Sequence, residues 1–240
     1  MAKPSWHTQW KVHPHDPVNK LTDDLWDVEG SLKGIPLKRR MTLMRLRDGR
    51  VVVHNAVALE DALMSDIEAW GRPSFLVVPN GYHRLDAAPF RARYPGIIVV
   101  AGRGHRKRVS ECVPVDGGPE LLPAAQGVSA EELDGNKAGE MVFMQTHADG
   151  SKTAVLNDAF WNEHHQRGFP GFVLRMIGST GGPKITRVMK LVGIADKQAL
   201  KAHLLRIAAT PGLARIIMAH GRIIEERAAE TLREATERFL

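Results

Sequence analysis

Two kinds of hydrophobic spacing follow one another in the first third of this chain, and together they restrict its fold more than any other feature. Met41, Leu43, Arg45 and Arg47 point one way along an extended segment, and Thr42, Met44 and Leu46 the other. A two-residue period marks a half-buried strand. Asp48-Gly49 supplies a tight turn and Val51 to His54 returns, which predicts a β-hairpin. The period then changes. Leu59, Leu63, Ile67 and Trp70 recur at helical spacing, and Gly71 and Pro73 end that helix. Ser74 to Val78 reads as a buried strand, Asp86 to Tyr94 as a short helix closed by Pro95-Gly96, and Ile97 to Ala101 as a further buried strand. Helices between successive strands act as crossovers and imply parallel pairing.

The second half repeats the theme. Met141 to Thr146 and Lys152 to Asn157 flank Asp149-Gly150 and predict a second hairpin. Residues 113–139, rich in Gly, Pro and acids, read as loops with short strands. Asp196 is placed to N-cap a helix carrying Leu200, Leu204 and Ile207. Val188 to Val192 fits either a strand or a helix. Ala214 to Met218 reads as a strand ending in Ala219-His220-Gly221. A terminal helix is expected from Arg222, with Ile224, Ala228, Leu232, Ala235 and Phe239 on one stripe. Asp24 to Glu29 reads as the first strand, after an arm over residues 1–22. Two half-domains result, each a sheet with helices on one side. Stacking them predicts an α/β (α+β) chain, a four-layer αββα sandwich, with residues 23–240 forming a single domain.

Composition narrows the function classes. The 240 residues, 43% of them hydrophobic, suffice for a substantial core. Cys112 is the one cysteine, so no internal disulfide forms. The start of the chain carries no long apolar run, and the apolar runs elsewhere fall short of the ~20 residues a bilayer span needs. These features point to a cytoplasmic protein without a membrane span. The net charge of +6 is concentrated in two groups, Lys33 to Arg50 and Arg103 to Arg108. They read as solvated loops and an exposed strand face. No nucleic-acid reader motif accompanies them, so a small-molecule or anionic ligand or partner is the reading they leave. An oligomer is equally allowed. Gly-x-Ser-x-Gly and a strand–glycines–helix dinucleotide fingerprint are both missing, which removes support for serine-hydrolase and dinucleotide chemistry.

Three strand ends carry polar residues able to do chemistry. Asn80-Gly81-Tyr82-His83-Arg84-Leu85-Asp86 follows the strand ending at Val78, and its imidazole and carboxylate suit one ion or one substrate. Asn80 and Asp86 also suit turn and cap bonds. Asp158, after the strand ending at Asn157, must be hydrogen-bonded, paired or metal-bound to offset its desolvation. His220 precedes Gly221, which lets the backbone approach closely, and it fits either a ligand or a histidine bonded to backbone. His147 is expected to be exposed at a hairpin end, and Cys112 to be a small buried hydrophobe.

At these strand ends the sequence resembles the metallo-β-lactamase superfamily, in particular a poorly characterised bacterial branch of it. The likeness runs from about Leu25 to the chain end. It is carried by SFLVVPNGYHRLDAAPFRARYPGIIVV up to Val100, by AVLNDAFWN over Ala154 to Asn162, and by MAHG over Met218 to Gly221. In that superfamily a His-x-His-x-Asp-His loop builds most of a one- or two-zinc site. The corresponding loop here holds one His and one Asp, with Asn80, Tyr82 and Arg84 among the replacements. The resemblance implies Asp158 as the bridging aspartate and His220 as the last histidine. The histidine expected some twenty residues before that aspartate is missing around Asp134-Gly135.

His83, Asp158 and His220 would then make one three-ligand site for a zinc or iron ion, with too few donors for two metals. The resemblance therefore implies a degenerate site in a mononuclear metal-dependent hydrolase, with His83 and Asp158 in the chemistry and Asn80, Tyr82 and Arg84 near the substrate. The alternative is a non-enzymatic binding or regulatory protein that has lost its metal. Arg84 bears on the choice: a cation at a ligand position either replaces the metal, pairing with Asp158, or points elsewhere.

Overall fold

A computed structural model describes residues 6–240 of the chain. The first five residues of the expected arm lie outside the described residues. The described chain divides into two compact units, one of residues 6–33 and 38–128, the other of residues 34–37 and 129–240.

The first unit is built on a six-stranded sheet in the order β1-β2-β3-β4-β5-β6, with β1 Asn19–Thr22, β2 Leu25–Leu32, β3 Ile35–Arg45, β4 Arg50–His54, β5 Arg72–Val77 and β6 Ile98–Val100. The predicted hairpin is β3–β4, antiparallel with Leu43 opposite Val53 and Met44 opposite Val52. The helix α1 Asp61–Trp70 crosses over to β5, and α2 Ala87–Arg93 to β6; both strand pairs are parallel. Leu43, Val53, Leu76 and Val99 point from the sheet into one core with Met64 and Ile67 of α1 and Phe90 of α2. The alternate residues Met44, Val52, Phe75 and Val77 are buried too, so this sheet is apolar on both faces. Burying each such side chain contributes roughly 1.5–3 kcal/mol.

In the second unit a four-stranded sheet has the order β12-β9-β8-β7, with β7 Val128–Glu132, β8 Met141–Thr146, β9 Lys152–Val155 and β12 Leu213–Ile217. The second predicted hairpin is β8–β9. α5 Lys197–Ala208 and α6 Ala228–Phe239 cover one face, where Leu200, Leu204 and Leu232 meet Val142, Leu156 and Ile216. Phe143, Val155 and Ile217 are buried on the alternate positions. Asp196 caps α5 as expected, its Oδ1 accepting from the Gln198 and Ala199 amides at 2.9 and 3.0 Å. A small antiparallel pair, β10 Trp161–Glu163 with β11 Gly182–Lys184, and the helix α4 Gly168–Met176 were not expected; nor was α3 Arg106–Val109 in the first unit.

Several local expectations are corrected. The terminal helix starts at Ala228 rather than Arg222, because Ile224 instead pairs with Ile216, exchanging backbone bonds of 2.8 and 3.0 Å. Val188 to Val192, left open between strand and helix by the sequence, is helical: Val188 caps a π-helical turn over Met189–Gly193. His147 is buried, with Nε2 2.9 Å from Thr153 Oγ1. Arg39 and Arg40, expected on an exposed face, are buried and paired with Asp86 and Asp27. Lys38 pairs with Asp16 at 2.6 Å and Arg50 with Asp48 at 2.8 Å, so much of the first basic group is neutralised locally. Among the described residues no helix is long and apolar enough to cross a membrane.

Candidate metal centre

Parallel pairing of β9 with β12 brings two strand ends side by side. The ladder runs on past β9, with the Leu156 amide donating to Ile217 O at 2.8 Å. The residues that follow, Asp158 after β9 and His220 after β12, therefore leave the same sheet edge. His220 Nε2 lies 3.5 Å from Asp158 Oδ1. His220 is buried and Asp158 partly open, and the Trp161 ring lies against the imidazole with centroids 4.4 Å apart.

Two devices fix these side chains. Gly221 has φ +86°, and a Cβ there would sit 2.2 Å from Asn162 O. Only glycine accepts that conformation and that approach. Asn162 then bonds Arg222 twice, O from its amide at 2.9 Å and Nδ2 to its carbonyl at 2.9 Å. On the other strand end, Glu140 accepts from the Asn157 amide at 2.8 Å and from the Ala159 amide with both oxygens at 3.0 Å. The carboxylate thus clamps the backbone on both sides of Asp158. Burial, then the Asp158 carboxylate, push the Glu140 carboxyl up to about 8, against the lowering effect of these amides. Sequence reasoning missed Glu140; its one signal was an acid directly before a buried apolar strand. The Asn157 side-chain amide is fully buried and has no hydrogen-bond partner among the described residues.

In the first unit His83 sits in the loop after β5. Asn80 Oδ1 accepts the amides of Tyr82 at 2.8 Å and His83 at 3.1 Å, the Asx turn allowed for in the sequence. His105 Nδ1 accepts the Gly81 amide at 3.1 Å. Tyr82 is exposed, with the Arg108 guanidinium 4.2 Å from its ring centre. Arg84 is buried; it pairs with Glu111 at 2.7 Å and lies 4.6 Å from the Trp6 ring centre. Asp86 does not cap α2 with its side chain. It is the buried partner of Arg39, with His7 Nδ1 at 2.6 Å and the Ala58 amide at 3.0 Å. Cys112 is half-buried, its thiol directed at Val109 O at 3.2 Å, and burial pushes it up to about 11.

No family model matches this chain, and no curated protein matches it. Solved structures do. A metallo-β-lactamase from Pontibacter korlensis aligns over 92% of this chain and 98% of its own at 11% identity, with a TM-score of 0.60. The DIM-1 metallo-β-lactamase, in a crystal exposed to ceftazidime, aligns over 95% and 99% at 11% identity, with a TM-score of 0.63. A metallo-β-lactamase from Hirschia baltica aligns over 92% and 98% at 13% identity, with a TM-score of 0.58. The chain has the metallo-β-lactamase fold, the αββα sandwich expected from its sequence. At such identities the likeness establishes fold, and activity must be argued from the residues themselves.

Proposed function

We propose that this protein is a mononuclear metal-dependent hydrolase, with one zinc or iron ion held by His83, Asp158 and His220. The observation that carries this reading is the approach of His220 to Asp158 at two adjacent strand ends. The donor chemistry supports it: imidazole and carboxylate side chains are ordinary protein ligands of zinc and iron. Two imidazoles and a carboxylate match three protein ligands with a further position for water, the pattern of a catalytic site. They fit one metal and fall short of two.

A bound divalent ion supplies Lewis acidity and acidifies a water molecule at neutral pH. The protein's own residues do the rest. Glu140 and Gly221 hold Asp158 and His220 in place before any ligand arrives, and the Trp161 ring limits rotation of the His220 imidazole. His83 is either the third ligand or the group that carries a proton to and from the substrate. Asn80 sets the backbone of that loop, the exposed Tyr82 offers a substrate contact, and Arg84 would favour an anionic ester, amide or phosphoester only by giving up its pair with Glu111. We place the protein in the cytoplasm.

The second reading, a metal-free binding protein of the same fold, draws on the replacements Asn80, Tyr82 and Arg84 in the loop where the superfamily places ligands. Elemental analysis of untagged protein separates the two. The hydrolase reading expects about one zinc or iron per chain, lost in His220→Ala. Metal far below one equivalent, unchanged in the variant and not restored by added zinc, would leave the binding protein.

A further inference from the structure

Of the eleven large hydrophobic side chains that are exposed among the described residues, eight fall between Phe169 and Val192. They include Phe169, Phe172 and Met176 of α4 and Leu191 and Val192 of the π-helical turn, and Leu191 is 83% exposed. Inward-facing Leu174 and Met189 anchor the same two segments. The segments abut, since Arg187 Nη1 donates to Met176 O at 3.2 Å. An apolar concentration of this kind on a water-facing surface marks an interaction site.

Its charge identifies the partner. Residues 164–195 contain no Asp or Glu, yet carry Arg167, Arg175, Lys184, Arg187 and Lys190. Among the described residues none of these five forms an ion pair with a carboxylate. Lys184, Lys190 and Arg238 instead crowd one ring, that of Phe239, at 5.9, 5.4 and 5.2 Å from its centre. Burial, then Arg238, Arg187 and Lys190, hold the Lys184 ammonium below its ordinary range. Unneutralised cations on long stems around exposed phenylalanine and leucine complement a surface that is negative outside and apolar beneath. A protein partner would need an acidic rim around an apolar patch; a bilayer containing anionic lipid offers both layers at once.

We propose that α4 and the π-helical turn form a docking face for an anionic phospholipid bilayer, lying in its headgroup region without crossing it. This inference is independent of the metal reading. The test is co-sedimentation of the full chain with vesicles of phosphatidylcholine, with and without about 30% phosphatidylglycerol. Binding is expected to be at least about tenfold stronger to the anionic vesicles, and to fall steeply between about 0.05 and 0.5 M NaCl. Phe172→Ser with Leu191→Ser, and separately Arg187→Glu with Lys190→Glu, should each weaken it about tenfold or more while keeping the wild-type circular dichroism. The wild-type comparison decides the matter even if one variant misfolds. Equal binding to both vesicle types, or no binding to either, overturns the proposal. So does concentration-dependent self-association that Phe172→Ser abolishes in a protein that ignores vesicles.

Discussion

Both carboxylate oxygens of Glu140 accept the backbone amide of Ala159, each at 3.0 Å, and one of them also holds the Asn157 amide at 2.8 Å. A fully buried acid is thereby committed to the backbone around Asp158. In Glu140→Leu both acceptor oxygens are lost, and the Asn157 and Ala159 amides keep no partner on that side chain. Leaving such groups unsatisfied costs about 1–3 kcal/mol each. Urea unfolding should therefore show Glu140→Leu less stable by at least that amount, and an unchanged midpoint would mean that Glu140 does not clamp this backbone.

Asp86 is predicted to be structural. Its partner Arg39 is buried and His7 Nδ1 is 2.6 Å away. Asp86→Asn leaves the Arg39 cation without a counter-charge, a loss of about 3–5 kcal/mol. Thermal unfolding should register it. If metal content falls while stability stays at the wild-type level, Asp86 is a ligand and this assignment is wrong.

Gly221 should tolerate no side chain. Its φ of +86° is strained for any L-residue, and a Cβ would meet Asn162 O at 2.2 Å. Gly221→Ala is expected to cost at least about 1–2 kcal/mol from the backbone conformation alone. It should also shift His220, so metal binding is expected to weaken more than in a surface control of equal stability. Titration of the apo protein with zinc measures this directly.

Cys112 should be chemically quiet. With its thiol pushed up to about 11, almost none is thiolate at neutral pH. Sign and window follow: reactivity with iodoacetamide should rise only as the pH climbs towards 11, whereas the urea-unfolded chain should react near pH 8.5, the ordinary thiol value. Rapid labelling of the native protein at pH 7 would show that the thiol is more open than its burial indicates.

The parts of the fold legible in the sequence are those whose signal is local. Asp48-Gly49 and Asp149-Gly150 each join alternating runs, and both hairpins are present. The spacing of Leu63, Ile67 and Trp70 matches α1, and Asp196 caps α5. α4 escaped because its nine residues begin at glycine and include Pro170 and Gly171, which read as a loop, and because its apolar stripe of Phe169, Phe172, Val173 and Met176 faces water and not the core. The late start of α6 escaped because Ile224 satisfies a helical stripe as well as it satisfies a bridge to Ile216. His147 read as exposed because Thr153, its partner, lies across the hairpin.

For the candidate site the division is similar. Asp158 and His220 stand out in the sequence as polar residues closing apolar strands, since burying an acid or an imidazole without a partner is costly. What the chain alone determined was this short list and the alternation of strands and helices, because side-chain periodicity is a property of neighbouring residues. Only the tertiary structure decided that β9 and β12 lie side by side and parallel, which sets His220 against Asp158. It also decided which charges are withdrawn from water, with Arg39 on Asp86, Arg40 on Asp27, and Glu140 on the amides around Asp158. The physical reason is that strand neighbours and ion-pair partners are chosen among residues far apart in the chain. That choice depends on which packing buries the most apolar surface while leaving the fewest polar groups unpaired, and no local window of the sequence contains it.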